Sequence, residues 1–323
     1  MGQVSVINPK NQKLSKTKYR KRKAEFIRYL PLFIMMLPGL IYLLLNNYLP
    51  MLGLIIAFKD VNYSVGILGS DWVGFDNFKY LFSTRDAFII TRNTILYNGL
   101  FIILNTIFAV AAAIMLNEIK NKFAARFYQS AILLPFLISM VIVSYLANAF
   151  LSTEVGFLNN TILPLLGREE VSWYTEASYW PYILTFVSTW KGVGFLCVIY
   201  LAAIVGIDGE YYEAATLDGA NKWQQIRFIT IPLILPIIIM MTLLAIGRIF
   251  YSDFGLFFQV PMNSGAIYDT TNVIDTYVYR GLIQLGDIGM SAAAGLYQSI
   301  VGFILVLLSN WAVRVRDKDS ALF

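Results

Sequence analysis

Long apolar runs alternate with short polar ones along this chain. Tyr29–Phe58, Asn93–Asn117, Phe127–Thr153, Phe228–Gly247 and Ile288–Val313 contain no Asp, Glu, Lys or Arg, and Ala177–Ile207 is interrupted only by Lys191. Each reaches the roughly 20 residues that a helix needs to cross a bilayer. The pattern predicts an all-α polytopic membrane protein with six spans, at 31–57, 88–116, 126–151, 180–207, 232–257 and 289–313. An even number of spans leaves both termini on one side. Pro38 and Pro50 predict kinks in the first span, because each removes a backbone donor and crowds the preceding turn. AVAAAI (Ala109–Ile114) and SAAAG (Ser291–Gly295) are small-residue stretches of the kind that let helix backbones approach in lipid, and they are read as packing seams.

Composition agrees. Of the 323 residues, 58% are hydrophobic and 14% charged, against about 25% charged in an ordinary soluble domain. Lys and Arg fix the orientation, since cytoplasmic connections carry the excess. The N-terminal segment, the second and fourth connections and the C-terminal tail hold seventeen; the alternate connections hold five. The termini, the Glu118–Arg126 connection and the 208–232 loop are therefore expected in the cytoplasm. The basic run KTKYRKRKAEFIR is read as a topology signal beside anionic lipid, not a nucleic-acid site. With no histidine and a single cysteine, Cys197, His-based metal sites, catalytic triads and intrachain disulfides are excluded.

The expected organisation is a basic segment (1–30), a first transmembrane helix (31–57), an extracytoplasmic segment (58–87), a five-helix core (88–313) with a polar loop at 208–232, and a tail (314–323). WVGFDNFKYLFSTRDAF reads as a short amphipathic surface helix, and the loops at 152–179 and 258–288 as docking ground for an extracytoplasmic partner. The 208–232 loop is unusual. It carries four acids against two bases on the side where basic loops are expected, which points to a basic protein partner. Asp208 is positioned to cap a first helix, Gly219 to end it in a left-handed residue, and Asn221 to cap a second helix that must end or bend by Pro232.

Within that loop, Glu213-Ala214-Ala215, three residues, Gly219, nine residues, Ile229, one residue, Ile231 and Pro232 resembles the EAA loop of bacterial ABC importer permeases. Ile231 stands where the family pattern has Leu. WVGFDNFKYLF (Trp72–Phe82), SAILLPFLIS (Ser130–Ser139) and TWKGVGFLCVIYLAAIVGIDGEYYEAATLDGA (Thr189–Ala220) are similar to segments of its carbohydrate branch, the maltose-type and polysaccharide-type permeases. The likeness covers about 70–318.

The resemblance implies a type I ABC importer permease fold and import of a carbohydrate, an oligosaccharide by preference. It implies coupling to two cytoplasmic ATPase subunits through Glu213, Ala214, Ala215, Asp218, Gly219, Ala220, Ile229 and Pro232. It also implies a second permease subunit, most simply in a heterodimer, an extracytoplasmic solute-binding protein, and surrounding lipid. The sequence has no GxxxxGK[ST] loop, so ATP and magnesium are expected on the ATPase subunits. No cofactor, metal or catalytic residue is expected on this chain.

Lys191 and Arg248 are each placed about ten residues from the outer end of a span. Cations at that depth need a partner or a wet cavity. Arg248 is read either as paired with Asp253 or backbone carbonyls, or as lining a substrate path with Lys191, Asn98, Asn148 and Trp190; Asn105 could add a hydrogen bond. If both cations faced one cavity, its potential would favour acidic sugars such as uronates. Two rival functions make different demands on the sequence. A membrane-embedded glycosyl or lipid transferase would need clustered acids or a metal site, and Asp60, Asp71, Asp76 and Asp86 are scattered. An amino-acid or phosphate permease of the same superfamily would keep the loop but usually lacks the Trp72–Phe82 segment.

Overall fold

The computed structural model describes residues 28–316 and divides the chain into two compact units, Met1–Ile55 and Ile56–Phe323. The basic N-terminal run through Ile27 and the tail from 317 lie outside the described residues. The first helix, α1 (Arg28–Phe58), is apolar on all faces, with none of its most hydropathic window buried. Its winding stays α around Pro38. It changes ahead of Pro50, where a π-turn at Leu44–Tyr48 gives way to 3-10 turns over Leu49–Phe58. A π-turn widens the helix where the proline ring would otherwise meet the preceding carbonyl.

The second unit starts with a hairpin, β1 (Lys59–Asp60) paired antiparallel with β2 (Asp71–Trp72), around the short helix α2 (Gly66–Gly69). Lys59 is buried and its ammonium holds the hairpin shut, donating to the carbonyls of Ile67, Leu68 and Ser70 at 3.0, 2.8 and 2.9 Å. Three carbonyl oxygens replace the water that a buried ammonium would lose. The surface helix is α3 (Asp76–Ser83), and Asn77 ties it to the carbonyls of Ala57 and Lys59.

Two long helices form the spine, α4 (Arg85–Asn117) and, after α5 (Lys122–Leu137), α6 (Met140–Leu151) and a small α7 (Leu163–Leu165), α8 (Trp180–Val205). At about 1.5 Å per residue α4 is roughly 50 Å long and exceeds a bilayer core. Small residues do the packing that lipid cannot drive. Ala109 and Ala113 of α4 are fully buried beside Cys197, Tyr200 and Ile204 of α8. On α8, a side chain at Gly194 would stand 2.2 Å from the Ile132 carbonyl oxygen, so α5 and α8 touch backbone to backbone there.

The expected third span is broken. α5 and α6 meet at 95°, with Ile138 and Ser139 extended and the Ser139 hydroxyl capping α6 through the Ile142 amide at 3.4 Å. Pro135 lies in the last turn of α5, where it weakens the helix just before the break. Among the described residues, five continuous helices are long and apolar enough to cross a membrane, six with this bent pair counted as one.

The polar loop folds as α9 (Gly209–Leu217) and α10 (Lys222–Gln225), and α10 runs through a π-turn (Ile226–Thr230) into α11 (Ile231–Ile246). Two expectations are corrected here. Pro232 neither ends nor bends the chain away, because it occupies the opening turn of α11 and the π-turn before it absorbs the missing donor. The fifth span stops at Ile246, eleven residues short of the expected end, so Arg248 sits in the turn that follows rather than deep within a helix.

Beyond that turn, a helical π-segment (Gly255–Gln259) buries Leu256 and Phe257 against Tyr97, Phe101, Trp180 and Leu184. α12 (Tyr268–Thr271) and α13 (Ile274–Ile283) follow, then the last span, α14 (Ile288–Arg316), whose Ala293 and Ala294 are fully buried. Ser264 and Thr270 donate to the carbonyls of Tyr174 and Ala177 at 2.7 and 3.0 Å. The 152–179 and 251–287 segments thus lock together at one end of the bundle. Glu118 and Lys222 pair at 3.1 Å, gathering the 118–121 connection and the Glu213 loop together.

Candidate functional site

Two places gather the residues singled out in the sequence. The first is the Glu213 loop. Asp208 caps α9, its carboxylate accepting from the Glu210 amide at 3.0 Å. The far end of α9 closes in the two hydrogen bonds of a Schellman motif, Ala220 N to Ala215 O at 2.9 Å and Gly219 N to Thr216 O at 3.1 Å. Gly219 has φ +81°, a conformation that costs an L side chain about 1–2 kcal/mol. The spacing from Ala215 to Gly219 is therefore the spacing of one helix end. Asn221 and Gln224 then cap α10 reciprocally, at 2.9 and 2.7 Å.

Four side chains fix this loop to the membrane helix, and sequence reasoning missed Gln225, Thr216 and Thr230 among them. Buried Gln225 donates to the Thr216 hydroxyl at 2.9 Å and to the Ala220 carbonyl at 3.4 Å. The Tyr212 hydroxyl meets that of Thr230 at 3.0 Å. α9 is thereby braced at two points against the helix that continues as α11. Its outer surface carries Glu213, Ala214 and Asp218, all exposed, with Ala215 and Ala220 half-buried. Tyr211, Trp223 and Leu217 stand out beside them, Leu217 at 89% exposure. Exposed apolar side chains beside acids mark a contact surface. Ile229 is half-buried in the π-turn and Pro232 is exposed at the start of α11.

The second place is a polar cavity of about 470 Å³ between α4, α8, α11 and the turn after it, lined by Asn98, Asn105, Ser188, Tyr200, Arg248 and Ser252 among others. Asn98 positions the turn, donating to the Ile249 carbonyl at 2.7 Å and the Ser252 hydroxyl at 3.1 Å. The buried side-chain oxygen of Asn105 has no hydrogen-bond partner. Arg248 is exposed on the cavity wall, at the C-terminal end of α11 where a cation is favoured.

The other pathway candidates lie elsewhere. Lys191 donates to the carbonyls of Pro135 at 3.1 Å, Phe136 at 3.4 Å and Ile138, so its charge is spent on the α5–α6 break. Trp190 lines two apolar cavities of about 920 and 580 Å³, and Asn148 lies on α6 outside the polar cavity. The larger cavities offer a sugar almost no polar partner; the smaller polar one does. Asn98 and Arg248 are brought together, while Lys191, Trp190 and Asn148 are not.

Beside this cavity, Asp275 of α13 accepts from the Ser252 amide at 2.7 Å and from Gln298 at 3.2 Å. Burial pushes its carboxyl above the usual aspartate range. On the locked loops, burial likewise raises the Tyr174 phenol to about 12.

The family described as "Binding-protein-dependent transport system inner membrane component" matches residues 105–317. The chain is 34% identical over 289 residues to Protein LplB of Bacillus subtilis (strain 168), covering 90% of each chain. It is 33% identical over 296 residues to the polygalacturonan/rhamnogalacturonan transport system permease protein YteP of the same organism, covering 91% of each. Among solved structures, a chain of a bacterial alginate ABC transporter, in complex with an alginate pentasaccharide-bound periplasmic protein, superposes with a TM-score of 0.83 and 32% identity, covering 91% of this chain and 98% of that one.

Proposed function

The chain belongs to the family of binding-protein-dependent transport system inner membrane components, and from that premise we propose that it is the permease subunit of an ATP-driven ABC importer that takes up an oligosaccharide. It is a multi-pass protein of the cytoplasmic membrane. Its relatives move polygalacturonan, rhamnogalacturonan and alginate, and a carbohydrate is the substrate here. A solute-binding protein delivers it from outside. A second permease subunit completes the pathway, and two cytoplasmic ATPase subunits supply the energy from ATP and magnesium.

The observation that carries this reading is the brace between α9 and α11. A loop that only connected two spans would need no buried glutamine and no paired hydroxyls. A loop that transmits a push must not bend, and Gln225–Thr216 and Tyr212–Thr230 make α9, α10 and α11 move as one body. Glu213, Ala214 and Asp218 face outward for the ATPase groove, while Ala215, Gly219 and Ala220 form the turn behind them. Ile229 and Pro232 carry the chain into the span. Placing this loop and both termini in the cytoplasm rests on the seventeen-to-five distribution of Lys and Arg.

The test is ATP-dependent uptake by the assembled transporter in proteoliposomes, supplied with its binding protein and a panel of labelled oligosaccharides. Uptake of one or more oligosaccharides, requiring both ATP and the binding protein, is the expected result. Uptake of amino acids or phosphate with no saccharide transported would overturn the carbohydrate assignment.

A further inference from the structure

We propose that the tip of the hairpin between β1 and β2 is a membrane anchor, seated at the boundary between phospholipid headgroups and acyl chains. Such an anchor is independent of which saccharide is carried. From Val61 to Ser70 the chain has no Asp, Glu, Lys or Arg. Tyr63, Val65, Ile67 and Leu68 all stand exposed there, Leu68 at 86%, and Trp72 is exposed beside them on β2. Water disfavours a surface of that kind. Aliphatic side chains flanked by Tyr and Trp are what a segment lying in the membrane interface displays.

The backbone of the tip is prepared for the loss of water. A carbonyl carried toward lipid without a partner is costly, so a segment that enters must satisfy its own polar groups. The buried Lys59 ammonium takes the carbonyls of Ile67, Leu68 and Ser70. The Ser70 hydroxyl donates to the Gly66 carbonyl at 2.7 Å, and the Asn62 carbonyl accepts from the Gly66 amide at 3.0 Å. Two of the carbonyls that Lys59 holds thus belong to the two exposed aliphatic residues at the tip. A hairpin facing water could leave those carbonyls to the solvent, with no need to bury an ammonium to meet them.

The hairpin also stands at the level this requires. Asn77 of α3 donates to the carbonyls of Ala57 and Lys59 at 3.0 and 3.1 Å, and a Cβ at Gly289 would lie 2.7 Å from its side chain. Gly289 is in the first turn of α14, so the hairpin base is tied to the point where that span begins. A span begins at the headgroup level. Between the base and α14 lies a polar cavity of about 480 Å³ lined by Asp60, Asp76 and Asp287, and Asp60 faces Asp71 in register across the two strands. Acids therefore collect at the base, where the hairpin meets water, and apolar side chains at the tip. An uncharged tip whose carbonyls are already taken offers a soluble partner little beyond apolar area, and lipid is the apolar phase at this level.

The experiment labels Leu68→Cys or Asp71→Cys, each in a Cys197→Ser background, with the fluorophore NBD in the assembled transporter. The vesicles are of phosphatidylethanolamine and phosphatidylglycerol. Nitroxide-labelled phosphatidylcholine serves as the quencher in the membrane and iodide as the quencher in water. Without the binding protein, the label at position 68 should be quenched several-fold more strongly by the nitroxide lipid than the label at 71, and several-fold less by iodide. Copurification with the ATPase subunits verifies that each variant is assembled. Equal iodide quenching at the two positions would overturn the anchor. Protection of position 68 from both quenchers would overturn it in favour of a protein neighbour, and protection that arises only when the binding protein is added would overturn it in favour of docking. Each of these results leaves the importer reading to stand or fall on uptake by proteoliposomes.

Discussion

The ammonium of Lys191 on α8 lies 3.1 Å from the carbonyl oxygen of Pro135 on α5 and also reaches those of Phe136 and Ile138. These carbonyls face the end of a helix that stops in the membrane, where the dipole is negative and water is scarce. A lysine in a span and a break in the neighbouring span are thus one feature. Lys191→Met would strand the carbonyls at a cost on the order of 2–3 kcal/mol. A lower unfolding temperature and equal loss of uptake for acidic and neutral oligosaccharides are expected. Selective loss for one class would place Lys191 in the pathway instead.

Gln225 should matter for coupling without touching either partner. Gln225→Leu keeps the size of the side chain but removes the donor to Thr216 and Ala220. The assembled complex should form at normal levels, and uptake per ATP hydrolysed should fall several-fold as α9 slips against α11. Simultaneous measurement of uptake and hydrolysis in one vesicle preparation checks this. An unchanged ratio would show that the brace transmits nothing.

Asp275 gives a pH dependence with a defined sign. Burial raises its folded-state value, so its protonated form is favoured by folding. That stability is fully present below the unfolded value of about 4 and is lost as pH rises through the raised folded value. The difference in thermal midpoint between wild type and Asp275→Asn should therefore shift in favour of the asparagine variant as pH rises through that window. The constant change in hydrogen bonding cancels from the slope. A flat difference across pH 4–8 would contradict the assignment.

The orientation can be read by labelling. A cysteine at Asn221, in a Cys197→Ser background, should be protected from an impermeant thiol reagent in intact cells and react in inverted vesicles. Reaction in intact cells would reverse the topology.

Much of this was legible in the sequence because it is periodic or local. Uncharged runs mark helices whatever they pack against, and Asp208, Gly219 and Asn221 act on their own neighbours, so their capping roles can be read from spacing. What was not legible is long-range. Nothing within Phe127–Thr153 says that Ile138 becomes extended, because the carbonyls released there are satisfied by Lys191, more than fifty residues away. The early end of α11 was hidden for a related reason. Residues 247–257 are apolar enough to continue a span, yet they turn back and bury Leu256 and Phe257 against α4 and α8. Gln225 was missed because a lone glutamine in a polar loop carries no signal until Thr216 is known to face it.

Coupling of this chain to an ATPase through the Glu213 loop is read out most directly in reconstituted vesicles. Gly219→Val places a β-branched side chain at φ +81°, where surrounding space is open and the strain is in the backbone. Ala215→Trp overfills the inner side of the helix end. Neither change lies in a span, so both variants should reach the membrane at wild-type levels. Association with the ATPase subunits should weaken, and transport should be lost together with hydrolysis stimulated by the binding protein. Wild-type rates of both activities in both variants would contradict the account.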